Sequence, residues 1–289
     1  MPTKGDRDEW TGLDTTGHEW DGIRELDRPL PRWWLWVLYA TIIWSVGYFV
    51  FYPGIPWFTG HNTGLLETTA RIELAAELDA AEAAQAGRRS RIAVTIPEAI
   101  LEDPDLLAFA LAGGAAAYGD NCAPCHGSAA TGGPGYPSLI DDDWIWDGSI
   151  VGIENTLRYG IRSAHPDTRD MQMPAFGRDE ILSAGEIGDV AEYVLSLSGG
   201  AEDQAAVTRG EGVFDEQCAF CHGGQGEGMA DLGAPRLADA IWLYGGTRED
   251  IVATVSNSRA GVMPAWEGRL DEATLKMLTV WVHSQGGGE

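Results

Sequence analysis

The chain has 289 residues, of which 44% are hydrophobic and 22% charged, a globular average that excludes a disordered or fibrous chain and leaves room for two domains. Its net charge is −25, from 19 Lys+Arg against 44 Asp+Glu. That excludes nucleic acid as a partner, because binding it needs a basic surface to neutralise phosphates. Four cysteines are too few for a disulfide-stapled mini-domain.

Residues 1–32 are polar. Trp33 to Tyr52 is then an uncharged run of 20 residues; at about 1.5 Å per residue, a helix of that length crosses the ~30 Å hydrocarbon core of a bilayer. Trp33, Trp34 and Trp36 cluster at one end and Phe49, Phe51, Tyr52, Trp57 and Phe58 at the other, the aromatic-belt pattern of a spanning helix. Pro31 and Pro53 mark its ends. A buried core helix fits less well, because the run is apolar all round. A signal peptide also fits less well, because a long polar segment comes first and Tyr52-Pro53-Gly54-Ile55-Pro56 follows in place of a cleavage site. An uncleaved anchor is expected. Arg24, Arg28 and Arg32 lie just before the span, and the next basic residue is Arg71. The positive-inside rule therefore puts residues 1–32 in the cytoplasm and the bulk of the chain outside.

Residues 53–105 are expected to form a periplasmic linker containing a helix. A turn-rich exit covers 53–61. An Ala-, Leu- and Glu-rich helix should run from Asn62 to about Ala86, with Asn62 or Thr63 as cap and Gly87 as stop, acting as a solvated spacer. Arg88 to Pro97 is expected to be extended, with a short strand as one option.

All four cysteines fall in two runs. Cys122-Ala123-Pro124-Cys125-His126 and Cys218-Ala219-Phe220-Cys221-His222 both read C-x-x-C-H, the attachment signature of a c-type haem. Two thiols three residues apart on one turn can each bond a vinyl group of one porphyrin, and the adjacent histidine reaches the iron from one face. A redox C-x-x-C pair would need a βαβ context, which is missing. A pooled zinc site is disfavoured by the wide separation of the motifs and by the histidine after each.

The two haem segments are repeats. Gly114, Tyr118 and Cys122 match Gly210, Phe214 and Cys218; Pro137 and Leu139 match Pro235 and Leu237; Trp144 matches Trp242. Each repeat reaches a Met-Pro-Ala-aromatic run, Met173 to Phe176 and Met263 to Trp266. Each should close with a helix, Ser183 to Ser198 with Tyr193 inward and Asp271 to Ser284 with Trp281 inward. This order resembles the class I cytochrome c fold over residues 106–200 and 201–289. The expected fold is therefore mainly α: one N-terminal transmembrane helix, 33–52, followed by two tandem class I cytochrome c domains.

The resemblance implies that first and last helices cross at the Gly and aromatic positions. It also implies that Met173 and Met263 are sixth ligands opposite His126 and His222, with Cys122, Cys125, Cys218 and Cys221 holding two covalent haem c groups. The carbonyls of Pro137 and Pro235 are expected to accept the ligand histidines' Nδ1–H. His165 and Met171 are rivals to Met173, and Met229 is a weaker rival in the second repeat. His18, His61 and His283 are expected to be ordinary surface or interface residues. The same ligand list follows whether each Met serves its own repeat or the other.

The pattern over nearly the whole chain is more specific. His18-Glu19-Trp20-Asp21-Gly22-Ile23, then Pro29-Leu30-Pro31-Arg32-Trp33-Trp34, one span, a Tyr-Pro exit, an Ala-rich helix and two haem repeats resemble the membrane-anchored dihaem subunit, subunit III, of cbb3-type cytochrome c oxidases. The resemblance implies a bacterial inner-membrane, single-pass electron carrier with periplasmic haem domains. It would pass electrons from a donor cytochrome c or a cytochrome bc complex to the monohaem and catalytic haem–copper subunits, where oxygen is reduced and protons are pumped. The chain itself would hold no catalytic residue. Its acidity suits a basic donor. The alternatives are a free-standing anchored dihaem carrier, the cytochrome subunit of a periplasmic dehydrogenase, and a dihaem peroxidase or thiosulfate dehydrogenase. The last needs an open or displaceable iron ligand or a spare cysteine.

Overall fold

The computed structural model describes residues 6–54, 56–61 and 64–286. The chain divides into two units, 1–83 and 84–289.

In the first unit, β1 (Thr15–Trp20) and β2 (Ile23–Leu26) pair antiparallel with Trp20 opposite Ile23. Asp21 and Gly22 turn the chain with φ of 50° and 84°. Positive φ at both central residues is the two-residue I′ hairpin turn that Asp-Gly favours. Helix α1 (Arg32–Phe51) covers the uncharged run, and among the described residues none of it is buried. Apolar on every face, it is long and apolar enough to cross a membrane. β3 (Pro56–Trp57) and β4 (Gly60–His61) make a second small hairpin just beyond.

Helix α2 (Ala70–Val94) departs from the expected linker. The expected caps Asn62 and Thr63 lie outside the described residues. Gly87 does not stop the helix, and residues 88–94 are helical where an extended stretch or strand was expected. A mid-helix Gly costs only about 1 kcal/mol, and tertiary anchors outweigh it. Ile92 is fully buried, Arg89 pairs with Asp271 at 2.8 Å, and Lys276 Nζ donates to Ala93 O and Thr95 O, each at 2.9 Å. The C-terminal end of α2, beyond the expected spacer, is thus docked.

The rest of the second unit is α3 (Pro97–Glu102), α4 (Pro104–Asn121), α5 (Ala123–His126), α6 (Ile150–Tyr159), α7 (Ala184–Leu197), α8 (Gln204–Gln217), α9 (Ala219–His222), α10 (Arg248–Asn257) and α11 (Glu272–His283). Side chains cap the helix starts. Asp103 accepts from Asp105 N and Leu106 N ahead of α4, and Asp203 does the same for α8. Ser183 with Glu186 and Thr247 with Asp250 form capping boxes. The closing helices lie where expected, with Ser183 and Asp271 as caps. The middle helices α6 and α10 were not expected.

The two sequence repeats do not pack as two separate bodies. The first helix of the first repeat, α4, packs on α11, the last helix of the second. The first helix of the second repeat, α8, packs on α7, the last helix of the first. Tyr118 of α4 meets Trp281 of α11, ring centroids 4.3 Å apart. Phe214 of α8 meets Tyr193 of α7 at 4.9 Å. The helix crossing of the expected fold is therefore made twice, each time between repeats. Residues 198–203 supply a physical reason, since so short a connection keeps α7 beside α8.

Candidate haem sites

Each C-x-x-C-H run begins as the continuation of a helix. Cys122 N bonds Tyr118 O at 2.8 Å and His126 N bonds Cys122 O at 2.9 Å; Cys218 and His222 repeat this at 2.8 and 3.0 Å. One tight turn thus carries both thiols and the histidine. It ends at Gly127 or Gly223, with φ of 79° and 78°, a backbone that favours Gly. Tyr118 Oη donates to Gly127 O at 2.7 Å and ties the turn back to α4.

The histidines are oriented by backbone. His126 Nδ1 lies 3.0 Å from Pro137 O and His222 Nδ1 lies 2.9 Å from Pro235 O. A carbonyl only accepts, so Nδ1 carries the proton and Nε2 presents its lone pair. Burial lowers the pKa of both imidazoles, against a smaller opposing effect of the Pro carbonyls, and this favours the neutral ring that binds a metal. Burial, with the neighbouring cysteine adding to it, pushes the Cys122 and Cys218 thiols up to about 11. A redox-active pair needs the reverse, a stabilised thiolate.

The methionines fall on opposite sides of the exchange. Met263 packs, with Trp144 and Trp266, on a core that includes Tyr118, Cys122, Ile153 and Leu157. Its backbone pairs with Ile161 in both directions, at 3.0 Å each. Met173 packs on the core of Phe214, Ile251 and Val255, together with Cys218 and Trp242. Ser258 Oγ donates to Met173 O, and Phe176 N donates to Val255 O at 3.0 Å. So Met263 packs in the same cluster as Cys122 of the first motif, and Met173 in the same cluster as Cys218 of the second.

Of the rivals, His165 packs tilted against Tyr159, ring centroids 4.9 Å apart, and its Nε2 is 3.2 Å from Glu267 Oε2. Met171 and Met229 are exposed. The repeats alone leave open whether each Met serves its own repeat or the other, and the short 198–203 connector is the sequence signal that bears on it.

The residues packed around each motif fit a porphyrin. Trp144 Nε1 is buried without a hydrogen-bond partner, in the same cluster as Cys122 and Met263. A buried indole N–H needs an acceptor, and a haem carboxylate would supply one. Two thiols and an imidazole on one turn, with a thioether packed in the same cluster as the first thiol, are the donor set of a c-type haem.

The chain matches two protein families. The N-terminal domain of cytochrome oxidase-cbb3, FixP, matches residues 12–59. Cytochrome c oxidase, cbb3-type, subunit III matches residues 109–194 and 205–282, one segment per repeat. The chain is 47% identical over 290 residues to a cbb3-type cytochrome c oxidase subunit FixP of a Bradyrhizobium species, covering 100% of both chains. It is 47% identical to the subunit CcoP of Cereibacter sphaeroides, covering 95% of both. It is 48% identical to the subunit FixPc of Rhizobium leguminosarum bv. viciae, covering 97% of this chain and 98% of that one.

Proposed function

The chain belongs to the family of subunit III of cbb3-type cytochrome c oxidase, and on that premise we propose that it carries two covalent haem c groups ligated across its repeats. It is a membrane-anchored cytochrome c electron-transfer subunit of that oxidase. Cys122, Cys125, His126 and Met263 hold one haem. Cys218, Cys221, His222 and Met173 hold the other. The observation that carries this assignment is the packing of each Met on the core behind the opposite repeat's cysteine motif.

When bound, each haem supplies one reversible electron, at a potential that Met ligation raises above that of a bis-His site. The residues around it do the rest. Pro137 and Pro235 fix the imidazoles. Trp144, Trp266 and Trp281 on one side, and Tyr193, Phe214 and Trp242 on the other, wall the pockets and exclude water. A haem held by an imidazole and a thioether at each site would leave its iron closed to a small substrate. Oxygen reduction then belongs to the haem–copper subunit, reached through the monohaem subunit. Intact-mass analysis of the chain tests the cofactor count: two added haems are expected, and one would remove half the assignment.

The cluster of Arg24, Arg28 and Arg32 before α1 supports a cytoplasmic N-terminus and periplasmic haem domains. A reporter fused after residue 289 should be active only on the periplasmic side. The donor is proposed to be a basic cytochrome c, on the strength of the acidic surface.

A further inference from the structure

Eight of the described arginines are held in ion pairs: Arg7, Arg24, Arg89, Arg91, Arg158, Arg178, Arg209 and Arg248. Every other described arginine is exposed except three, Arg162, Arg169 and Arg259. In a chain with 44 Asp+Glu, a half-buried guanidinium without an ion pair is out of place, because desolvation of the charge goes uncompensated.

Arg162 directs its N–H groups to backbone, from Nε to Gly261 O at 2.7 Å and from Nη1 to Met171 O at 3.0 Å. Arg169 and Arg259 are held in another way, and in the same way as each other. The Arg169 guanidinium lies over Trp146, 5.2 Å from the ring centroid, and Nη1 donates to Thr156 Oγ1. The Arg259 guanidinium lies over Tyr244 at 5.0 Å, and its Nε donates to Thr254 Oγ1 at 2.9 Å. Arg259 Nη2 also donates to Asp250 O at 2.7 Å.

Trp146 and Tyr244, and likewise Thr156 and Thr254, are related by the same sequence offset as Trp144 and Trp242. The two arginines are not. Duplication supplied the ring and the hydroxyl twice, and arginines from non-equivalent loop positions came to rest on both. A cradle built twice from unaligned residues points to a shared requirement at the two pockets.

Each cradle adjoins a pocket. Thr156 precedes Leu157, which is buried with Cys122 and Met263. Ile161 pairs with Arg169 on one side and Met263 on the other. Thr254 precedes Val255, which is buried with Cys218 and Met173. Ser258, next to Arg259, donates to Met173 O. Burial works against the charge of Arg169, and Asp147 offsets this in part without forming an ion pair. Beside each cluster there is therefore a held guanidinium that forms no ion pair among the described residues.

We propose that Arg169 and Arg259 bind haem propionates, Arg169 in the pocket of His126 and Met263 and Arg259 in the pocket of His222 and Met173. This rests on the haem assignment above. A haem brings its own carboxylates, and guanidinium is the side chain whose donor fork matches a carboxylate. Trp144 Nε1 supplies an uncharged donor to the first pocket. The fixed cations offset propionate charge, so they favour the reduced over the oxidised iron.

The test is a redox titration of the c-type haem absorbance in the oxidase purified with its partner subunits, comparing wild type with Arg169→Gln, Arg259→Gln and the corresponding lysine variants. Each glutamine variant should lower the midpoint of one c-type component, and the two variants should lower different ones. The expected size is about tenfold in the reduction equilibrium, or ~59 mV for one electron. The lysine variants should recover most of it. Unchanged midpoints with both haems attached, or one variant moving both components equally, would overturn the proposal.

If the glutamine variants do not accumulate, redox-difference infrared spectra of the wild type with haem labelled at the propionate carboxyls decide. Ionised, protein-bound propionates at neutral pH support the proposal, and solvent-like ones overturn it. A wild-type chain without two attached haems would instead sink the haem assignment itself.

Discussion

Gly114 of the first repeat lies directly against Met277 and Trp281 of the second. A Cβ on Gly114 would collide with the Met277 carbonyl oxygen and stand 2.5 Å from Trp281 Cβ. Gly210 is its counterpart, facing Asp189 O and standing, as a Cβ, 3.0 Å from Tyr193 Cβ. Backbone cannot yield as a side-chain tip can, so Gly114→Ala and Gly210→Ala should each cost about 1–3 kcal/mol and lower the thermal midpoint. The pairing can be tested by double-mutant cycles. Gly114→Ala should couple to Trp281→Ala by more than about 0.5 kcal/mol and be additive with Tyr193→Ala. Coupling to Tyr193 in place of Trp281 would mean that each repeat closes on itself.

The same exchange predicts which haem each methionine serves. In a chain whose second motif is disabled by Cys218→Ala and Cys221→Ala, only the haem on Cys122 and Cys125 remains. Met263→Leu in that background should abolish the Met-to-iron charge-transfer band, and Met173→Leu should leave it. With both motifs intact, either change alone should remove about half the band if two haems contribute equally, as one methionine per iron would require. The reverse result in the single-haem background would place each ligand within its own repeat.

Much of this arrangement is legible in the sequence. The paired C-x-x-C-H runs, the Met-Pro loops, the uncharged run and the caps Ser183 and Asp271 are local chemistry, and each lies where its residues call for it. The exchange is not legible in the repeat alignment, because Gly114 and Gly210 ask only for a close-packed helix and do not say whose. Helices α6 and α10 carried signals in their caps, Ser149 and Thr247, but no motif pointed to them. The Asp21-Gly22 pair is a hairpin signal within the N-terminal family motif. Gly87 misled because its cost is local, whereas Ile92, Arg89 and Lys276 hold that part of α2 through residues far along the chain.

Charge sets a further expectation. Residues 53–289 hold 14 of the 19 Lys+Arg, since five lie in 1–32, and 36 of the 44 Asp+Glu, since eight lie there; their net charge is −22. Such a surface steers a basic donor over distances that salt shortens, the Debye length falling from about 10 Å at 0.1 M to ~3 Å at 1 M. Reduction of the complex by a basic cytochrome c should therefore slow steeply with ionic strength, mainly in the association rate seen by stopped flow. A neutral or acidic donor should show little of this. A flat salt dependence with the physiological donor would assign docking to an apolar patch and leave the acidity to solubility.

Glu192 is where the exchanged helices are pinned, and it makes the hold sensitive to acid. Its side chain is 6% exposed and pairs with Arg248 Nε at 2.9 Å. It also accepts the backbone N–H of Glu202 at 3.1 Å and of Asp203 at 3.3 Å, at the end of the connector between α7 and α8. Burial is the largest single influence on its carboxyl and opposes ionisation. The two N–H groups and Arg248 together outweigh it and hold the pKa below the ordinary 4.5. A depressed folded-state pKa means that this stabilisation is fully present above the unfolded value and is lost as pH falls through the folded one. Arg248 is half exposed, so the ion pair is screened, and the backbone contacts are the larger share. Glu192→Gln keeps an acceptor but loses the charge. It should cost about 1.5–3 kcal/mol at pH 7, the scale of a hydrogen bond to a charged group. The difference from wild type should shrink as pH is lowered past the carboxylate range, because wild-type Glu192 is then neutral as well. Urea unfolding of both proteins at neutral and acid pH measures this. A gap that stays constant with pH would show that Glu192 acts through its shape and not through its charge.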